Sequence, residues 1–168
     1  MNYHNITHED MLNGDGLRVV LWVAGCNHYC KNCQNPITWD INGGIPFDKN
    51  AIKEIVEELS KDYCSGITFS GGDPLHPYNR KEILNIIENV IKPYFPNKTI
   101  WIYTGYKWEE LLNDMVCNKI IKLIDVLVDG EYIQELNSPD KHWVGSSNQR
   151  VIDCKKSLAE NKIILKED

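Results

Sequence analysis

The sequence has no apolar run approaching the roughly 20 residues that a membrane-spanning helix needs, so no membrane is expected among its partners. It also lacks an excess of positive charge: 18 Lys and Arg stand against 24 Asp and Glu, a net charge of −6. A nucleic-acid binder needs a basic stripe to meet phosphates, so no nucleic acid is expected either. No P-loop, no Ser-His-Asp order and no paired carboxylates set for acid–base work occur. Repeats, low-complexity stretches and Gly- or Pro-rich linkers are missing, and the 168 residues read as a single domain, 1–168. Met1–Asp10 is polar and resembles neither a signal peptide nor a transit peptide. The chain therefore reads as cytoplasmic, where thiols stay reduced. Its six cysteines are then not a disulfide framework, and those that cluster point to metal or catalysis.

What is there is an alternation of strand and helix signals. Leu17–Ala24 is rich in β-branched and aromatic residues and reads as a buried strand. Asp48–Lys61 reads as a helix, with Asp48 as N-cap and Ile52, Ile55, Val56 and Leu59 on one face. A strand at Ile67–Ser70 runs into Gly71-Gly72-Asp73-Pro74. A helix follows over Arg80–Lys92, with Asn79 and Glu82 at capping-box spacing and Pro93 as its stop. Further strands fit Thr99–Tyr103 and Val126–Val128, with a short helix from about Lys107. Near the end, Arg150–Ile152 and Ile163–Leu165 read as strands around a helix at Cys154–Glu160. Such alternation predicts an α/β fold with a parallel sheet. A closed eight-stranded barrel takes about 250 residues; this length predicts a partial, open βα barrel of about five or six strands. The distinctive residues follow the carboxyl ends of these strands, where parallel α/β folds place their sites.

The first such strand leads into Gly25-Cys26-Asn27-His28-Tyr29-Cys30-Lys31-Asn32-Cys33-Gln34-Asn35-Pro36. Closely spaced thiolates favour an iron–sulfur cluster or zinc. A closed structural site wants four ligands, yet Cys64, Cys117 and Cys154 are scattered. Three readings stay open on these residues: a cluster with one open iron, zinc completed by His28, or an electron carrier with a further ligand.

The spacing Cys-x3-Cys-x2-Cys after a first strand resembles that of the radical S-adenosylmethionine enzymes. Asn32 stands where most of that family has an aromatic residue, but together with His28 it resembles one branch, the activating proteins of anaerobic ribonucleoside-triphosphate reductase. Asn13-Gly14-Asp15-Gly16-Leu17-Arg18, Ser70-Gly71-Gly72-Asp73-Pro74-Leu75, Tyr103-Thr104-Gly105-Tyr106, Val126-Leu127-Val128-Asp129-Gly130 and Gly145-Ser146-Ser147-Asn148-Gln149-Arg150 resemble further motifs of this branch. The resemblance implies a radical S-adenosylmethionine type of partial barrel, with a [4Fe–4S] cluster on Cys26, Cys30 and Cys33. The fourth iron would bind S-adenosylmethionine. It implies cofactor contacts from Asn32, Gln34, Gly71, Gly72 and Asp73, where Asp73 is shorter than the family's usual Glu, and no catalytic residue beyond the cluster ligands. It implies reductive cleavage to a 5′-deoxyadenosyl radical, which takes hydrogen from a glycine of the large reductase. Flavodoxin or ferredoxin would supply the electron. The runner-up is a small-molecule radical enzyme such as 7-carboxy-7-deazaguanine synthase.

Overall fold

The computed structural model describes residues 1–167. One open sheet carries the fold, in the strand order β3-β1-β2-β4-β5-β6-β7. Four strands are parallel: β2 (Leu17–Val23), β4 (Cys64–Gly71), β5 (Thr99–Tyr103) and β6 (Val126–Asp129). β1 (Asn2–Asp10) lies antiparallel to β2, the two-residue β3 (Ile45–Pro46) pairs with β1, and β7 (Arg150–Asp153) lies antiparallel to β6.

The expected open α/β sheet is present, but its composition differs from the expectation of five or six parallel strands. The difference has a chain-geometry cause. Parallel neighbours need a crossover, usually a helix. Between β1 and β2 the chain makes only the short turn 11–16, so the strands must run opposite ways. Between β6 and β7 the segment 130–149 contains only a three-residue 3-10 turn, Gln134–Leu136, and the chain returns from the end it left. Ile163–Leu165 forms one bridge, Leu165 to Ile152, and not a strand.

Helices cover one face. α1 (Lys49–Leu59) starts as expected, the Asp48 carboxylate accepting from Ala51 N. Helix α2 (Arg80–Ile86) passes through a π turn at Ile87–Ile91 into α3 (Lys92–Tyr94). Pro93 thus does not stop the helix: the wider π turn before it accommodates a ring that would strain a regular α turn. The expected capping box is not made either. Asn79 instead donates its amide to Ala24 O and Asp73 O, 2.9 and 3.2 Å away. α4 (Trp108–Leu111) follows Lys107. α5 (Met115–Leu123), unforeseen, is capped by Asp114 accepting from Cys117 N. α6 (Cys154–Glu160) matches its expected span, capped by Asp153. No helix is long and apolar enough to cross a membrane among the described residues.

The two faces of the sheet differ sharply. Val19, Leu21, Val23, Ile67, Phe69, Ile100, Ile102 and Leu127 meet the helices in the main core. Alternate residues point the other way, as a period of two requires. There Trp101, Val126 and Val128 form a small aromatic–aliphatic cluster with Tyr103, Trp143 and Val144, beside buried Arg18, Thr68 and Ser70. Segment 130–149 thus covers the helix-free face of the parallel strands.

Candidate metal centre

The three clustered cysteines sit on the loop that leaves β2. Its base is fastened by Gly25 N donating to Thr38 O (2.7 Å) and Cys26 N to Trp39 O (3.1 Å). Gly25 itself has φ +104, and a side chain there would strike Ile41. Inside the loop, Tyr29 (φ 49) and Asn32 (φ 58) are left-handed. Each immediately precedes a cysteine, so each thiol is aimed by a sharp local turn. Asn tolerates that conformation better than an aromatic residue does, a physical reason for Asn32 that its identity alone did not disclose. The Asn32 and Gln34 side chains are exposed.

All six cysteines are free. Cys26, Cys30 and Cys33 are half-buried; Cys64, Cys117 and Cys154 are buried elsewhere in the core. Burial pushes the Cys26 thiol up to about 11, with Asp73, Cys30 and Cys33 adding to the rise. The Cys30 thiol is raised too, by burial first and then by Glu131 and Cys33. The three cysteines share one short loop, and ionising any one of Cys26, Cys30 and Cys33 makes the next harder to ionise. Thiols raised in this way stay protonated until a cation takes them as thiolates, and soft thiolates suit iron. Among the described residues no three His, Cys, Asp or Glu groups converge tightly enough for a single ion. Thiolates bound to separate corners of a cube stand further apart than that. The residues present fit an iron–sulfur cluster.

The Gly71–Gly72 step presses the end of β4 against this loop. A Cβ on Gly71 (φ +111) would stand 2.4 Å from Val23 N, and one on Gly72 2.5 Å from Gly25 O and 2.7 Å from Thr38 O. Gly72 N donates to Val23 O and Asp73 N to Gly25 O. The Asp73 carboxylate, 1% exposed, accepts from Leu75 N, Thr104 Oγ1, Gly105 N and His28 Nε2. These contacts join the cluster loop to the loops after β4 and β5. Burial works against a charged His28, but its hydrogen bond to Asp73 and the charges of Asp73 and Glu131 outweigh this and raise its pKa.

A cavity of about 540 Å³ opens beside Cys33 and Gln34, lined also by Ser70, Tyr103, Trp143 and Gln149. The Tyr103 hydroxyl and the Trp143 indole N–H are buried without a hydrogen-bond partner. Buried polar groups are almost always satisfied, so two orphans on one cavity wall mark a place built for a polar ligand. Tyr103 lies in a motif at the end of a strand, whereas Trp143 carries no signal in the sequence: an isolated Trp in an irregular segment has no periodicity. Tyr103→Phe removes a hydroxyl with no partner in the protein. Its expected effect on thermal unfolding is neutral to slightly stabilising, by about 1 kcal/mol at most.

Other polar motif residues serve the architecture. Asp129 accepts from Trp108 N and pairs with Arg150, which also grips Glu109 through two bonds of 3.0 and 2.9 Å. Gln149 folds its own loop, accepting from Gly145 N and Ser146 N and donating to Gly130 O. A larger cavity of about 710 Å³ lies at the amino ends of the parallel strands, away from Cys26, Cys30 and Cys33. Lys155 and Lys166 on its wall are paired with Asp125 and Asp15.

Comparison with known proteins agrees with the geometry. A family described as a 4Fe-4S single cluster domain matches residues 12–152. A protein of Enterobacteria phage T4 is 46% identical over 152 residues, covering 90% of this chain and 93% of its own length. One from Escherichia coli K12 is 44% identical over 153 residues, 90% of this chain and 97% of the relative. One from Haemophilus influenzae is 42% identical over 151 residues, 89% and 96% respectively. All three are named anaerobic ribonucleoside-triphosphate reductase-activating protein. With most of both chains aligned at these identities, this chain belongs to the family of anaerobic ribonucleoside-triphosphate reductase-activating proteins, built on a 4Fe-4S single-cluster domain.

Proposed function

We propose that this protein activates anaerobic ribonucleoside-triphosphate reductase by radical S-adenosylmethionine chemistry. The observation that carries the proposal is the placement of three half-buried thiols on one short loop beside a cavity with two orphaned polar groups. Cys26, Cys30 and Cys33 hold a [4Fe–4S] cluster and leave one iron for the methionine end of the cofactor. When bound, the cluster supplies one electron to the sulfonium of S-adenosylmethionine, releasing the 5′-deoxyadenosyl radical that takes hydrogen from a glycine of the reductase.

The protein's own part is position and exclusion of water. Gly71 and Gly72 keep the end of β4 free of side chains beside the cluster loop. Asp73 serves by tying three loops together. Gln34 and Asn32 flank the third ligand, within reach of the cluster or of the bound nucleoside. Tyr103 and Trp143 offer the cavity a hydroxyl, an N–H and aromatic faces, which suit an adenosine. Leu12, Tyr29 and Ile37 are exposed around the loop, an apolar rim that a protein substrate would cover. The electron comes from a small carrier, flavodoxin or ferredoxin.

Mixing the reconstituted, reduced protein with the reductase and S-adenosylmethionine without oxygen tests this by electron paramagnetic resonance. A protein radical signal that changes on deuterating reductase glycine is the expected result. Its absence, with a loaded and reduced cluster, would overturn the reading.

A further inference from the structure

The cluster loop is held from inside by the His28 side chain. His28 lies between the first and second cysteines, and its side chain is only 9% exposed. Its Nε2 stands 2.7 Å from Asp73 Oδ2. The same carboxylate is fixed by Thr104 Oγ1 at 2.8 and 3.0 Å, Gly105 N at 2.9 Å and Leu75 N at 2.8 Å. The ring meets Tyr106 edge-on at 4.6 Å, and Arg80 lies over the other ring of that pair at 5.1 Å. On its far side His28 Nδ1 is 3.6 Å from Glu131, whose other oxygen lies 4.0 Å from Cys30 Sγ.

Gly105 makes the seat. A Cβ there would lie 2.5 to 2.7 Å from three atoms of the His28 ring. Gly105 is not in the left-handed region, so its lack of a side chain answers a need for space alone. We propose that His28, seated over Gly105 and anchored on Asp73, is a positioning residue that sets the stance of the cluster loop and hence of Cys26 and Cys30. The Asp in the Gly-Gly-Asp step and the His in the cysteine loop then form one device. This inference rests on the cluster assignment proposed above.

The seat makes a double-mutant test specific, because contacting residues couple while independent ones add. Wild type, His28→Ala, Gly105→Ala and the double variant are reconstituted with iron and sulfide. Initial iron content, the rate of iron loss to a chelator, and the resonance spectrum of the reduced cluster are then measured. Wild type and single variants should load the same iron. Each single variant should lose iron about tenfold faster and show an altered spectrum, with little change in thermal unfolding. Adding Gly105→Ala to His28→Ala should change nothing further, because the methyl then fills space the ring has left. A Gly105→Ala protein indistinguishable from wild type, or a double variant whose loss is the product of the two, would overturn the inference. Should Gly105→Ala fail to fold, Asp73→Asn takes its place in the same cycle, with the same non-additivity expected. Wild-type protein that loads no four-iron cluster would instead refute the assignment on which the inference rests.

Discussion

Arg18→Ala should be the most destabilising single substitution outside the hydrophobic core, at about 3–5 kcal/mol in urea unfolding. Arg18 is fully buried and points into the helix-free face of the sheet. Its guanidinium donates to Thr68 Oγ1, Ile67 O, Asp15 O, Thr99 Oγ1 and Thr99 O at 2.8 to 3.0 Å. Trp101 lies 5.6 Å away under the guanidinium carbon. The group thus sews β2 to β4 and β5 without a contacting carboxylate, and burial lowers its pKa to about 10. Removing it leaves buried acceptors with neither water nor a donor. Arg18→Lys should recover only part of the loss, because one ammonium cannot match a planar fork with five N–H groups. The glycines before it belong to the same device: a Cβ on Gly14 would meet Arg18 Cδ at 2.8 Å, and one on Gly16 would meet Ser65 Oγ at 2.1 Å. The Asn-Gly-Asp-Gly-Leu-Arg segment therefore builds the floor of the helix-free face of the sheet.

The largest effect on function should come from the cysteines, and it should divide them cleanly. Alanine at Cys26, Cys30 or Cys33 removes one of the three ligands we propose and should leave reconstituted protein with little iron and no activation of the reductase. Alanine at Cys64, Cys117 or Cys154 should retain the full iron and sulfide content. Those three side chains are buried in the core, and each loss should cost no more than about 1–2 kcal/mol in stability. Burial drives the Cys117 thiol up to about 12 and Cys154 higher still, so neither is a ready thiolate at neutral pH. Iron analysis of the six variants checks the division; cluster loss in any of the second three would contradict the three-ligand assignment.

Much of this architecture was legible in the chain. β2, β5 and α6 carry unbroken patterns, and the order of motifs along the strands puts the cysteine loop and the Gly-Gly-Asp step at one end of the sheet, where they meet. The misses have physical reasons. β1 is polar and buries only Ile6, so it lacks the alternation that marks a half-buried strand, and only its pairing with β2 makes it one. β7 looks like any parallel strand in sequence; its direction is set by the absence of a crossover helix. Asn79 and Glu82 have the right spacing for a capping box, but a buried carbonyl at Ala24 claims the Asn79 amide instead. In the site, the cysteine spacing was readable, whereas the partnership of His28, Asp73 and Gly105 was not. Those residues are 45 and 32 positions apart, and nothing local in any one of them announces the other two.

The most direct test of the central claim is anaerobic cleavage of S-adenosylmethionine by the reconstituted, reduced protein, followed by chromatography for 5′-deoxyadenosine, with Cys30→Ala alongside. The wild type should give product when the reductase is present, and the variant none. Equal product from both, or none from a fully loaded wild type with the reductase added, would contradict it.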